Sequence, residues 1–561
     1  MTGTVGTPAH SHAPVTRTTM THVTPLAFGS LRAALRGALC VALLATRAAA
    51  QAHAEHAGTD AGLGTVHFPT SCRPEVAPRF DRAVALLHSF EFGAAIRGFD
   101  DVLTADSTCA MAHWGLALSR WTNPTSPTNR APALLAAGRS AADAAERLAA
   151  AATPRERGYI AAAARLYANH ERVDQRTRVL AYERAMSRLV ARHPADTEAK
   201  IFYALSLVAA APPTDKRYAR QRRAGALLEW LWAAQPNHPG LAHYIIHSYD
   251  VPALAPQAAA AARRYADIAP AAAHALHMPS HTFTRLGMWE ASVRANRRSA
   301  EAALRDSAVA EVLHASDYLV YAYLQMARDS AAKAVLDGLP ALAARFDPSA
   351  VTGAAPGWAG VFALAAMPAR YALERRAWAE AASLAPAPSA FPYTEAMTYF
   401  ARALGAAHVG RPAVARAAAD SLSVIHARLL AGGESYWAEQ VAVQQLGARA
   451  WLALAEGRAD AAVAHMREAA AREDATEKSA VTPGPLAPAR ELLGDLLLDL
   501  GRPAEALAEY RRTMAKEPRR FRSLDGARRA ALAAGDRGVA ARYALDFQAL
   551  TGAGAPNATR R

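Results

Sequence analysis

Four histidines fall into two pairs with the same internal spacing: His243 and His247 in PGLAHYIIHSYD, and His277 and His281 in HALHMPSHTFTR. Residues four apart on a helix share one face, so each pair can offer two imidazoles to a single ion. Each member of the second pair lies 34 residues after its counterpart, a separation typical of helix-turn-helix repeats. In such an array equivalent helices pack about 8–10 Å apart, and four neutral imidazoles could surround one Zn²⁺, Cu²⁺ or Ni²⁺. Aligning the turn at Leu286-Gly287 with the one at Met326-Ala327 carries His274, His277 and His281 onto His314, Asp317 and Tyr321. Asp317 is therefore expected at the cluster, as a ligand, as a carboxylate orienting a histidine, or as a base. His274, His314, Tyr244, Tyr318, Tyr321, Lys216 and Tyr218 are candidates to line the surrounding groove. Pro279 stands between His277 and His281, where it either starts a helix or kinks one; a start there would loosen the second pair. The competing reading is structural: the imidazoles hydrogen-bond to backbone and tyrosines, or form a polar groove for a peptide.

Other catalytic signatures are missing from the sequence. HExxH, GxSxG, GxGxxG, a phosphate loop and CxxC do not occur, and HYIIH lacks the glutamate that zinc proteases use as base.

Alanine dominates the 561 residues, and no alternating runs of β-branched residues occur, so the class is all-α. Between Ala489 and Pro518 the chain reads ARELLGDLLLDLGRPAEALAEYRRTMAKEP: a leucine-rich helix ending at Gly501, then a second helix with small residues on one face. This segment resembles the tetratricopeptide repeat family. Weaker copies of its turn recur in FEFGAAIRGF, LGMWEASVRA, RRAWAEAAS, VGRPAVARAA, EGRADAAVAHM and GDRGVAARYAL. The resemblance extends over about residues 76–550 and implies a right-handed α-solenoid of about ten or eleven hairpins. The stretches AHWG, HPGLAHYIIHSYD, HALHMPSH and TPGPLAPARELLGDLLLDLG are similar to a group of bacterial tetratricopeptide-repeat proteins, many of them secreted. That resemblance implies a fold and a compartment, and no activity.

Punctuation divides the chain into a leader (1–50), a flexible mature N-terminus (51–75), an N-terminal solenoid with the histidines (76–345), an irregular shortened repeat with Pro/Gly-rich loops (346–392), C-terminal repeats (393–551) and a disordered tail (552–561). In the leader, Arg32 and Arg36 precede the apolar run ALCVALLA, and small residues favour cleavage after Ala50. The run is too short for a permanent transmembrane anchor, so a periplasmic or secreted location is expected. Export leaves Cys72 and Cys109, an even count in an oxidising compartment, and predicts a disulfide between them. The net charge of +14 comes from arginines scattered among acids, without a nucleic-acid-binding motif, so nucleic acid is excluded as a partner.

Two functions follow. One is an exported scaffold that holds a protein or peptide partner in its concave groove. The alternative is a divalent-metal binder or metal-dependent enzyme built on the four histidines.

Overall fold

The computed structural model describes residues 62–552, and the leader, residues 51–61 and residues 553–561 lie outside that range. The described chain is all-α. Its helices pair in sequence into twelve antiparallel hairpins, from Ala77–His88 with Phe92–Ala105 to Phe521–Ala533 with Arg537–Thr551. Local chemistry sets the ends. Proline takes an early helical position at Pro154, Pro239, Pro412 and Pro503, where its missing N–H costs nothing. Thr153 and Glu156 form a reciprocal capping box, and Asp174 and Asp196 cap the helices that follow them. The recurrent turn glycines bend the chain through positive φ. At Gly287 (φ +67°) a side chain would also meet the Pro518 carbonyl at 2.6 Å, so the turn and the packing both demand glycine.

First helices of successive hairpins stack on one another. Pro239–Ser248, then Ala273–His277 with Pro279–Arg285, then Val309–Gln325 form one such stack, and Val309–Gln325 continues onto Gly357–Glu374. All ten residues of Pro239–Ser248 are buried. Burial is this complete because the array also folds back on itself. Helix Ala77–His88 packs on Pro239–Ser248, and Phe521–Ala533 packs on Val309–Gln325. Hydrogen bonds from Trp289 Nε1 to the Arg519 carbonyl (3.0 Å) and from Trp437 Nε1 to Thr128 Oγ1 (2.9 Å) tie the C-terminal hairpins to the N-terminal ones.

Three expected boundaries are corrected. Residues 62–75 are not a flexible tail: Leu63, Val66 and Phe68 are buried, and Phe68 packs on Phe80, Trp114 and Tyr159. The apolar residues there outweigh the small polar ones that suggested flexibility. Residues 346–392 keep an 18-residue first helix, Gly357–Glu374, and only the second, Trp378–Ser383, is short. The C-terminal repeats are interrupted between helices Ala459–Ala475 and Ala489–Asp499, where a largely non-helical, mostly buried strap spans Thr476 to Pro488. Cys72 and Cys109 form a disulfide with Cα atoms 4.9 Å apart.

One buried titratable group outside the histidine stack makes stability depend on pH. The His408 ring lies flat on Trp378 (3.9 Å between centroids) and against Trp451 (4.1 Å), and burial pushes its pKa down to about 4. The unfolded chain binds this proton below about 6.5 and the folded chain does not. The stabilisation is therefore complete above that pH and is lost as pH falls towards 4, by about 2–3 kcal/mol. The midpoint difference between wild type and His408→Phe in urea is expected to shift by that amount, in favour of the variant, between neutral pH and pH 4. Parallel pH profiles would rule this out.

Candidate metal centre

Six buried histidines, not four, converge in the stack, and they sort into two trios. His243, His247 and His274 form one, and His277, His281 and His314 the other; within each, one ring nitrogen per residue lies within 4.8 Å of the others. Ring centroids are 4.8 Å apart for His243 and His247, 5.0 Å for His243 and His274, 5.0 Å for His277 and His281, and 4.5 Å for His277 and His314. The trios adjoin, with His274 and His277 rings 5.8 Å apart and His247 and His281 rings 6.2 Å apart.

Hydrogen bonds determine the tautomers. His281 Nδ1 donates to Asp250 Oδ2 (2.9 Å), whose other oxygen accepts from Arg285 Nε (2.9 Å). His277 Nδ1 donates to Asn296 Oδ1 (2.6 Å), and that amide is oriented because its nitrogen donates to the Ser292 carbonyl (2.8 Å). His243 Nδ1 donates to the His88 carbonyl (2.6 Å), and His274 Nδ1 to Glu311 Oε1 (3.2 Å). A neutral imidazole carries one N–H, so in all four rings the Nε2 lone pair is the free one. His277 Nε2 and His281 Nε2 then face each other at 3.0 Å. Two lone pairs at that distance repel unless a cation lies between them. A proton is disfavoured, since burial depresses the pKa of both rings, that of His277 strongly. A metal ion fits: two nitrogens on one tetrahedral zinc lie about 3.3 Å apart.

The carboxylates stay charged. Lys478 and Arg285 hold Asp250 well below the usual range against the opposing effect of burial, and the hydrogen bond with His274 lowers Glu311 against the same effect. Asp250–His281 and Glu311–His274 thus have the form of the carboxylate–imidazole pairs that orient metal ligands. A small pocket opens beside the trios, lined by His247, His274, His281, His314, Ser126 and Trp358, with the strap residues Ser479–Val481 on one wall. Tyr318 stacks on His281, its hydroxyl almost equidistant from both ring nitrogens, and donates instead to the Ala480 carbonyl (3.1 Å). Phe90, at φ +56°, is turned into the left-handed region that bulky residues avoid, and its ring packs on His243 and His274.

The expectations drawn from the sequence divide here. His243 with His247 and His277 with His281 are brought together, as members of two adjoining trios. Pro279 does begin a new short helix, yet Met278 keeps helical dihedrals, so the pair His277/His281 is not loosened. Asp317 is not at the cluster: it turns away to Arg370 (Oδ1 to Nε, 3.2 Å). Its place is taken by His314 and Tyr318, because Val309–Gln325 runs unbroken where its predecessor is split, and counting back from the turn misplaces the face by three residues. Tyr321 also leaves the groove, accepting from Arg520 and donating to Glu517. Lys216 and Tyr218 bind the strap through Glu477 Oε1 (2.6 and 2.8 Å). Tyr244 bonds to His88 Nδ1 (3.0 Å). His88 is a contributor that sequence spacing could not find: it bridges His243, Tyr244 and Glu198, and Glu198 also holds His238 (2.9 Å). Gly240 admits it, since a Cβ there would lie 2.5 Å from His88 Nδ1.

No protein-family model matches the chain, and no curated protein matches it. Solved structures share its helical-repeat outline at low similarity. The human IFIT1 dimer with m7Gppp-AAAA is 11% identical over 79% of this chain and 90% of its own, with a TM-score of 0.35. The APC/C hetero-tetramer Cut9-Hcn1 is similar over 85% of this chain and 87% of its own, with a TM-score of 0.32. What those proteins bind is theirs alone. Among the described residues no helix is long and apolar enough to cross a membrane.

Proposed function

We propose that this protein is an exported helical-repeat metalloprotein that holds a divalent transition-metal ion, Zn²⁺, Cu²⁺ or Ni²⁺, on His277, His281 and His314. The observation that carries this reading is the 3.0 Å approach of the two Nε2 atoms whose rings are committed through Nδ1. Three neutral nitrogen donors would leave a bound ion its full charge, and a three-histidine donor set is the pattern of an exchangeable or catalytic site and not of a closed structural one. Such an ion would supply Lewis acidity to a small molecule entering there. The chain's own part is to orient the rings through Asp250 and Asn296 and to wall the pocket with the strap. Export is supported by the Cys72–Cys109 disulfide.

A peptide or protein partner in the concave groove is the less favoured reading. The strap already lies there: Lys216 Nζ donates to the Thr476 carbonyl (2.6 Å), Tyr436 OH to the Glu477 carbonyl (3.1 Å) and Arg370 Nη1 to the Pro485 carbonyl (3.0 Å).

The test is metal analysis of tag-free protein after chelation, dialysis against Zn²⁺ or Cu²⁺ and desalting. Wild type is expected to retain metal stoichiometrically, and His277→Ala/His281→Ala to lose the ion at this trio. Asp250→Asn, which keeps an acceptor for His281 but removes the charge, is expected to weaken binding about 10–100-fold. Wild type that retains no metal, while folded by circular dichroism, would sink the proposal.

A further inference from the structure

The proposed ion on His277, His281 and His314 leaves the neighbouring trio unexplained. His243 Nε2, His247 Nε2 and His274 Nε2 are all buried, and none has a hydrogen-bond partner. Two of these atoms are lone pairs by necessity, since His243 and His274 commit Nδ1–H elsewhere. Two buried acceptors without donors are costly as an empty arrangement, and His247, whose Nε2 is equally unpartnered, completes a trio in which one ring nitrogen per residue lies within 4.8 Å of the others. Phe90 and Tyr265 pack against the His243 ring. What satisfies such converging imidazole nitrogens at once is a metal ion.

We infer that the chain holds two divalent transition-metal ions side by side, the second on His243, His247 and His274, and that the pair shares one small anionic ligand in the common pocket. This rests on the reading of the first site. Each trio contributes two residues to the same pocket wall: His247 and His274 from one, His281 and His314 from the other. An exogenous ligand there faces both trios. Two divalent ions on six neutral ligands carry four positive charges. Asp250 and Glu311 are the carboxylates bonded to ligand histidine rings, Glu91 accepts from the His274 backbone N–H (3.1 Å), and Asp250 is already shared with Arg285 and Lys478, so the carboxylates do not neutralise the two ions. The excess positive charge selects an anion, and the pair is arranged to bind it from two sides. An all-imidazole donor set favours zinc, copper or nickel over calcium, magnesium or manganese.

The test is the number of Zn²⁺ ions retained per chain by the stripped and reloaded protein, for wild type, His243→Gln/His247→Gln and His277→Gln/His314→Gln. Two ions in wild type and one in each variant is the expected result. One ion in wild type, kept by the first variant and lost by the second, would overturn the second site and leave the first standing. One ion in wild type, lost in both variants, would mean a single shared site, which overturns the pair. No ion in wild type removes both readings. The wild-type count does not depend on whether the variants fold. For the shared ligand, Cu²⁺-loaded wild type is titrated with azide: one azide per two coppers with loss of the paramagnetic signal is expected, and two azides with full signal would overturn the bridge.

Discussion

Replacing Arg520 with methionine is expected to destabilise the protein by about 3–5 kcal/mol. Arg520 is fully buried and lies between two equally buried carboxylates: Nη2 meets Glu374 Oε1 at 2.7 Å and Glu491 Oε1 at 2.8 Å, while Nε donates to Glu491 Oε2 at 2.9 Å. Nη1 donates to Tyr321 OH at 3.0 Å. These carboxylates hold the guanidinium firmly charged against the opposing effect of burial. Methionine would fill much of the volume but remove the cation between two fully buried carboxylates, with Arg522 Nε 3.5 Å from Glu491 and Ser523 donating to it. The repulsion between two buried negative charges, more than a lost attraction, causes the loss. Adding Glu374→Gln to Arg520→Met is therefore expected to recover part of it. The first unfolding transition in urea is the measurement, because long repeat arrays unfold in sections. A change below about 1 kcal/mol would show that water reaches the network. The effect should extend to metal affinity. Tyr321 shares helix Val309–Gln325 with His314, and Glu374 ends the helix from which Arg370 anchors the strap.

Removing the disulfide is expected to cost about 3–4 kcal/mol, from the entropy that a 37-residue cross-link withholds from the unfolded chain. The loss should be local at first. Residues 62–75 are held by Phe68 in its aromatic nest, by Ser71 N donating to Glu156 Oε1 (2.7 Å) and by Arg73 N donating to Asp106 Oδ2 (2.8 Å). Cys72→Ser/Cys109→Ser should therefore expose the N-terminal segment to limited proteolysis before the rest of the array opens. Equal midpoints with and without reductant would overturn the prediction. Thiol titration of the denatured, unreduced protein adds a test of export. Cys40 is the remaining cysteine, so a chain cleaved near Ala50 has no free thiol and an uncleaved one has one.

Much of the architecture was legible because its determinants are local. Turn glycines, helix-starting prolines and an i, i+4 histidine spacing act within one helix or hairpin, where sequence separation and distance are nearly the same thing. The cysteine pairing was legible for a different reason: Cys72 and Cys109 are the two cysteines that remain once the expected leader is set aside. The strap was not legible. TEKSAVTPGPLAP reads as a loop, and only its burial between Lys216, Tyr318, Arg370 and Tyr436 makes it a wall of the site.

The sequence by itself determined that the chain is a helical-hairpin array and that His243, His247, His277 and His281 sit on neighbouring first helices. Side chains on one helix have their relative directions set by its pitch. Only the tertiary structure decided that six histidines divide three and three, that His274 and His314 complete the trios, and that Asp317 faces Arg370. Those partners come from different helices. Their meeting depends on how each helix is rotated and shifted against the next, and on the split at Pro279, which carries one helix out of step with its neighbour. The His88 carbonyl reaches His243 across 155 residues because the array closes on itself. No local spacing encodes that distance.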